Sequence, residues 1–513
     1  MDRQEQSSEF DRRAFLRRAG TIAVGSVAAR GIYEVLDQIA GGPPRAAAAP
    51  VIRRFQEQYL IDQVEVIVNN GVTVAIPPLH NDVFTAKLKA GVSWTKAALK
   101  SAKTRVENAV AKVEAPYPST AAGLTIVVGW GLPYFRTFVP TLMNTYLPAI
   151  PGTSPKQYAV LDAIQFPSDP SGLVLEDNHV MFKFRSDSSA IVSGAERALF
   201  DDQNSGAYIG DLFDLTSKRI GFLGRGFGNP SIGKTLALAA GVPGADRIPA
   251  NSQLMMGFTS TQTQALGPDN IPSFETLRGV TDQWPNGYFA AGCAMHLSHL
   301  YLDLDAWYTN MDAAGYADRV KRMFSARTAV PADPNTVTLP NGPAQLSTMA
   351  QVKQDVANGG VLGHNALLQQ ATRLAAVSYD NYGRRRDKGT PVPLREDFNT
   401  LDDPFAWAPG GVGPTNKPGM HFVAFLPGHH LFHRARLAMD GMMPDGTNFR
   451  AAPYNLSDQR IGINASMRAS HRQNYVIPPR RNRSFPLVEL LPPEPPCSNS
   501  KKETFCCFSD AYS

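Results

Sequence analysis

The groups that could do chemistry in this chain are its histidines, a few carboxylates and one glycine-rich loop ending in Lys-Thr. His296-Leu297-Ser298-His299 places two imidazoles three residues apart. On a strand that spacing sends the rings to opposite faces, whereas a helix would let them share a metal ion. His429 and His433 have the i, i+4 spacing of a chelating helical pair. No Glu lies between them as a general base, so the pattern reads more simply as a solvated helix face. His364 differs: it follows Gly359-Gly360-Val361-Leu362-Gly363 and opens a helical stretch carrying Gln369, Gln370 and Arg373. Gly228-Asn229-Pro230-Ser231-Ile232-Gly233-Lys234-Thr235 fits a phosphate-cradling loop. In such a loop backbone N–H groups wrap the phosphates, Lys neutralises them and the hydroxyl holds magnesium. Against this, the following helix is cut by Gly241-Val242-Pro243-Gly244, and no strand ending in a magnesium-binding Asp follows unless Asp303 or Asp305 serves. Nucleotide binding through Lys234 is therefore the third of three functional readings. Cys293 reads as a buried thiol, and Cys497, Cys506 and Cys507 fall in a terminal tail.

The elements that must position these groups follow from the composition and the periodicity. With 43% hydrophobic and 19% charged residues in 513, the chain can bury a large core. A net charge of +5 with no basic stripe argues against nucleic-acid binding. No later apolar run is long enough to span a bilayer. Residues 52–63 read as a helix and 64–76 as a strand pair around Asn69-Asn70-Gly71. Residues 94–113 show helical spacing. Strand signals occur at 124–131, 159–166, 180–185, 219–223, 253–258, 292–304 and 419–426, with amphipathic helices at 189–200 and 429–439. The recurrence of strands and helices in this order predicts an α+β fold of two ferredoxin-like halves with antiparallel sheets, of the dimeric α+β barrel-like kind. The expected divisions are a signal peptide at 1–49, an extension at 50–114, a first half at 115–245, a second half at 246–485 and a disordered tail at 486–513. Arg12-Arg13-Ala14-Phe15-Leu16-Arg17, a modest apolar stretch and the small-residue run 46–49 have the layout of a twin-arginine export signal. That layout predicts export of the folded chain by the twin-arginine translocon to the periplasm or beyond, with membrane contact only during export.

The order of these segments resembles the dye-decolourising (DyP-type) peroxidases over about residues 115–440. Leu124-Thr125-Ile126-Val127-Val128-Gly129-Trp130 is similar to that family's opening strand. Residues 173–184 with the helix at 190–200 resemble its next strand and helix. Gln253-Leu254-Met255-Met256-Gly257-Phe258 resembles the strand that enters its Gly-x-x-Asp-Gly motif. Asp303-Leu304-Asp305-Ala306-Trp307 resembles its Asp-Leu-x-x-Trp, and residues 419–425 resemble its late strand. The resemblance implies haem b, with iron held by His364. It implies peroxide-dependent oxidation of a small-molecule or dye-like reductant, and it leaves a homo-oligomer open. It also implies a distal arginine, for which Arg395 is the first choice and Arg384, Arg385 and Arg386 are rivals. Ser260 stands where the family has its distal acid, and Thr261 replaces the second glycine. A serine is no base near neutral pH, so turnover by this route should be slow unless another group such as Asp269 moves in. The second reading is accordingly a non-enzymatic haem-binding or empty binding protein on the same scaffold. Trp284, Trp307 and Tyr308 could relay electrons but read more simply as core.

Overall fold

A computed structural model describes residues 55–69, 72–223, 231–250, 252–257, 271–308, 313–330, 346–401 and 417–492. The twin-arginine segment, Ser260, Asp269, the glycine end of the 228–235 loop and the three tail cysteines lie outside these residues.

The described chain is a mixed α+β structure dominated by one antiparallel-rich sheet. A hairpin of β1 (Glu65–Asn69) and β2 (Val72–Ile76) precedes β3 (His80–Leu88). Helix α1 (Lys96–Glu114) starts at Thr95, whose hydroxyl accepts a hydrogen bond from the Ala98 N–H. It buries Leu99, Ala102, Val106, Ala109 and Val110, a stripe recurring at three, four, three and one residues. Next come β4 (Thr125–Gly131), α2 (Leu132–Phe138), α3 (Pro140–Tyr146), the two-residue β5 (Val174–Leu175) and β6 (Val180–Ser186). Then follow α4 (Ser189–Glu196), β7 (Phe213–Phe222) and α5 (Ile232–Ala239). The later part holds β8 (Cys293–Leu302), α6 (Leu304–Tyr308), α7 (Ala313–Met323), α8 (Met349–Gly359) and α9 (His364–Thr372). Short strands β9 (Ser378–Tyr379), β10 (Arg385–Arg386), β11 (Leu394–Arg395) and β12 (Phe398–Thr400) lead to β13 (Gly419–Leu426), α10 (His429–Met439) and β14 (Met467–Ile477).

The strand order shows that the sheet closes on itself. β7-β3-β6-β4 form one antiparallel set, and β12-β13-β8-β14 form another. The sets join at two short seams, Asn399 opposite Phe222 and Tyr475-Val476 opposite Gly131-Trp130. In each set the first strand lies between the third and the fourth, with further helices and short strands inserted along the chain. Because side chains alternate along a strand, each strand has one face inside the ring and one face under helices. In β8 the inside face carries Cys293, Met295 and Leu297, packed with Val127, Met181, Val423, Phe425 and Tyr475. On the outside of the first set, Ile126, Val128, Trp130, Phe182 and Phe184 pack with Leu99 and Val106 of α1 and Val192 of α4. Full burial of each such large side chain contributes about 1.5–3 kcal/mol.

Several sequence expectations are corrected. Residues 55–63 are turns and not helix, residues 159–166 are irregular, and the described residues 252–257 are turns where a strand was expected. Each of these segments is held by specific hydrogen bonds, which periodicity does not register. The His429 N–H and ring both bond to the 159–161 segment, for example. Residues 486–492, placed in the tail by composition, pack against the first set, with Leu487 and Val488 fully buried.

Candidate functional site

A cavity of ≈ 290 Å³ lies on the outer face of the second strand set, roofed by α9 and α10. It has space for about ten waters at roughly 30 Å³ each, near the lower bound of about 300 Å³ usual for small-molecule pockets. The floor follows strand alternation: Ser298, Leu300 and Leu302 from β8, and Met420, Phe422, Ala424 and Leu426 from β13. The roof follows helical spacing: His364, Leu368 and Thr372 from α9, and Phe432, Ala435, Arg436 and Met439 from α10. In β14 the parity changes. Met467 and Ala469 face the cavity, the pairing slips between Ala469 and His471, and Arg472 then faces it as the cross-strand partner of Ser298. A bulge thus re-aims a cation that strict alternation would put inside the ring.

The structure brings His364 and Arg395 together on this one cavity. His364 sits at the first position of α9, next to Gly363. A Cβ on Gly363 would collide with the Phe324 carbonyl oxygen, and that carbonyl accepts the Ala366 N–H of the helix's first turn. Glycine therefore lets α9 start hard against the end of α7. The His364 ring is enclosed by protein, yet keeps surface open to a water-sized sphere because it borders the cavity. Its Nδ1 is buried without a hydrogen-bond partner. Burial, and then the charges of Arg395 and Arg436, push its pKa down to about 3, so the ring is neutral with a free lone pair at ordinary pH.

Three arginines and two carboxylates ring the polar side of the cavity. Asp169 meets Arg472 through two hydrogen bonds of 2.5 and 2.9 Å and meets Arg436 at 3.1 Å. Burial pushes the Asp169 carboxyl up, but Arg472 and Arg436 outweigh it and hold the pKa below the usual range. Arg436 also donates to Asp440 at 2.7 Å and to the Ser168 hydroxyl at 2.6 Å. Asp397, in the link between β11 and β12, has the Arg395 guanidinium 4.0 Å away and accepts the Val423 N–H at 3.2 Å. Burial raises Asp397 to about 6, against the opposing pull of Arg395. Glu396, between them, points the other way, into the ring, where it receives Lys183 at 2.9 Å and Arg185 at 2.6 Å. Sequence reasoning missed Asp397, Asp169, Arg436 and Arg472. The Arg-x-Asp alternation at 395–397 was the one available signal, whereas the Asp169 cluster joins residues some 300 apart.

The remaining candidates fall elsewhere. Arg384 and Arg386 pair with Asp380 and do not line the cavity. His296 stacks on Phe432 at 3.4 Å and bonds Asn474, while His299, on the opposite face, bonds Ser470. His429 is buried and fully hydrogen-bonded, which corrects the solvated-face expectation. No group of three or more metal-ligating side chains occurs among the described residues, and no described helix is long and apolar enough to cross a membrane. Lys234 gives its ammonium to the Asp246 carbonyl at 2.8 Å and Thr235 its hydroxyl to Ser231, so both groups have intramolecular partners. Trp307 and Tyr308 are core: the indole donates to the Met256 carbonyl and the phenol to the Met255 carbonyl, both at 3.0 Å. Those bonds, with Asn399 on Gln253 and Met255, hold the 253–257 turn at the cavity's edge.

Comparison with known families matches residues 78–479 to a single family model. The chain belongs to the family of unknown function DUF7405. No curated protein matches. Among solved structures, the encapsulated DyP-type peroxidase from Mycobacterium smegmatis is similar at 14% identity and TM-score 0.45, over 82% of this chain and 97% of that one. A variant of DypB from Rhodococcus jostii RHA1 in complex with heme is similar at 13% identity and TM-score 0.41, over 80% and 96%.

Proposed function

We propose that this DUF7405 member is a haem-dependent, peroxidase-like oxidoreductase built from two ferredoxin-like halves. The observation that carries the reading is the neutral His364 imidazole bordering a largely apolar cavity that also holds Arg395. The donor set suits haem b. A neutral imidazole is the ligand form iron requires, Leu300, Leu302, Phe422, Phe432 and Met439 would cover an apolar macrocycle, and Arg436 and Arg472 would be the cations nearest its anionic side groups on the polar side. Haem bound there would supply the iron chemistry of peroxide cleavage. The chain's own residues bind and orient: Arg395 would attract a peroxide anion, and the apolar walls would hold the macrocycle. The reductant would be a small or dye-like molecule. Export by the twin-arginine translocon to the periplasm or beyond fits this reading, because that route carries folded proteins with their cofactor in place.

A second reading, a haem carrier without peroxidase turnover, is favoured by one specific feature. The buried His364 Nδ1 has no hydrogen-bond partner, whereas a metal-ligating imidazole usually donates its second N–H to a carboxylate or carbonyl that raises its basicity. The test is a visible absorption scan of full-length protein from haem-supplemented cells. The expected result is a Soret band in the wild type that is lost in His364→Ala. A colourless wild type sinks both haem readings, and a coloured protein inert to peroxide leaves the carrier.

A further inference from the structure

Ser260 cannot act as a base, and its place lies outside the described residues. The cavity itself holds a carboxylate with a different address. Asp397 sits two residues beyond Arg395, in the link between β11 and β12, and both line the space that His364 borders. We propose that Asp397 is the proton acceptor of this cavity, taking the proton of a peroxide or other weakly acidic H–X ligand bound beside Arg395. The proposal rests on the haem reading above.

The step balances without any oxidant. Asp397 carboxylate and a peroxide O–H give a protonated Asp397 and a peroxide anion: the O–H bond breaks, its electron pair stays on oxygen, and a new O–H bond forms on Asp397. The anion is left beside the Arg395 guanidinium, which lies 4.0 Å from Asp397 in the structure. Two features keep Asp397 free for this task. Arg395 stands at the outer limit of an ion pair and does not clamp it, unlike Arg472 on Asp169 at 2.5 Å. The stronger cations at this strand are taken by its neighbour, since Glu396 holds both Lys183 and Arg185 on the ring interior. The charged groups bearing on Asp397 are thus Arg395 and Glu396 from its own segment and Lys183 from β6, with the Val423 N–H of β13 as its hydrogen bond. Burial lifts its pKa to about 6, within reach of both giving and taking a proton near neutral pH. The protonated acid could return the proton to a leaving oxygen, the second half of the same task.

The experiment uses the full chain reconstituted with haem and cyanide as the probe. Hydrogen cyanide binds iron as its anion, so it must lose a proton in the pocket. The association rate, read from the Soret shift, is expected to fall about 100-fold or more in Asp397→Asn and to recover in large part in Asp397→Glu. Soret intensity should stay at the wild-type level in both variants. Infrared difference spectra of the haem-free chain provide a check that needs no haem: a carboxyl band titrating near pH 6 should be absent from Asp397→Asn. Equal cyanide rates and pH profiles in wild type and Asp397→Asn, with Soret bands intact, overturn the proposal alone. So does a carboxyl that titrates at the ordinary aspartate value. A wild type with no Soret band brings down the haem reading, and this inference with it.

Discussion

Acidification should unlock one histidine in a way that can be counted in protons. His429 opens α10 with both ring nitrogens engaged: Nδ1 accepts the Leu161 N–H at 2.9 Å and Nε2 faces the Met295 carbonyl at 3.1 Å. That pairing requires the neutral ring with its proton on Nε2. A proton added to Nδ1 would set N–H against N–H in a buried site. Burial, opposed by the Met295 carbonyl and helped by His433 and His430, lowers the pKa from 6.5 to about 3. Because the folded value is depressed, the stabilisation is full above pH 6.5 and is lost as pH falls toward 3. The unfolded chain is almost wholly protonated here at pH 5 and the folded chain almost wholly neutral, so unfolding takes up about one proton at this residue. The loss approaches about 1.36 kcal/mol per pH unit below pH 6, or about 2.3 kcal/mol in total between pH 6.5 and 4.5. His429→Gln supplies one acceptor and one donor in a similar shape but cannot titrate. Proton uptake on unfolding in guanidinium, measured in a pH-stat at pH 5, should be about one proton greater for the wild type. Equal uptake by the two proteins would refute the assignment of a neutral, depressed His429.

Three further outcomes follow from the packing. Glu396→Gln removes the anion shared by two fully buried cations, Lys183 and Arg185, and should cost about 3–5 kcal/mol in denaturant melts, the range for breaking a buried ion pair from one side. Gly363→Ala should displace the start of α9 from the Phe324 carbonyl, which a haem titration would register as a weaker or shifted Soret band with the far-UV spectrum retained. Thr95→Ala, far from the cavity, should lower stability by about 1 kcal/mol through the lost cap of α1 and leave the Soret band unchanged.

Much of the scaffold was legible locally. Residues 64–76, 94–113, 124–131, 180–185, 189–200, 292–304, 419–426 and 429–439 announce themselves by apolar runs, alternation or helical stripes, and the structure forms strands or helices within them. What failed were segments whose conformation is fixed by partners far along the chain. Residues 159–166 are tied to α10 and β14, and residues 253–257 to Trp307, Tyr308 and Asn399. Their apolar content mimics a strand, but their backbone groups bond to side chains and loops instead of to a ladder.

The sequence by itself determined the alternation of elements and the start of α9 at His364, because these depend on near neighbours; Arg395 came only from the family resemblance. The tertiary structure decided which polar groups share a space. Closing the sheet through the Asn399–Phe222 and Tyr475–Gly131 seams sets one face of β8 and β13 beneath α9 and α10. The slip in β14 then turns Arg472 toward that face, and the alternation through 395–397 sends Asp397 outward and Glu396 inward. Register and closure are properties of strand pairs, so no single stretch of sequence contains them.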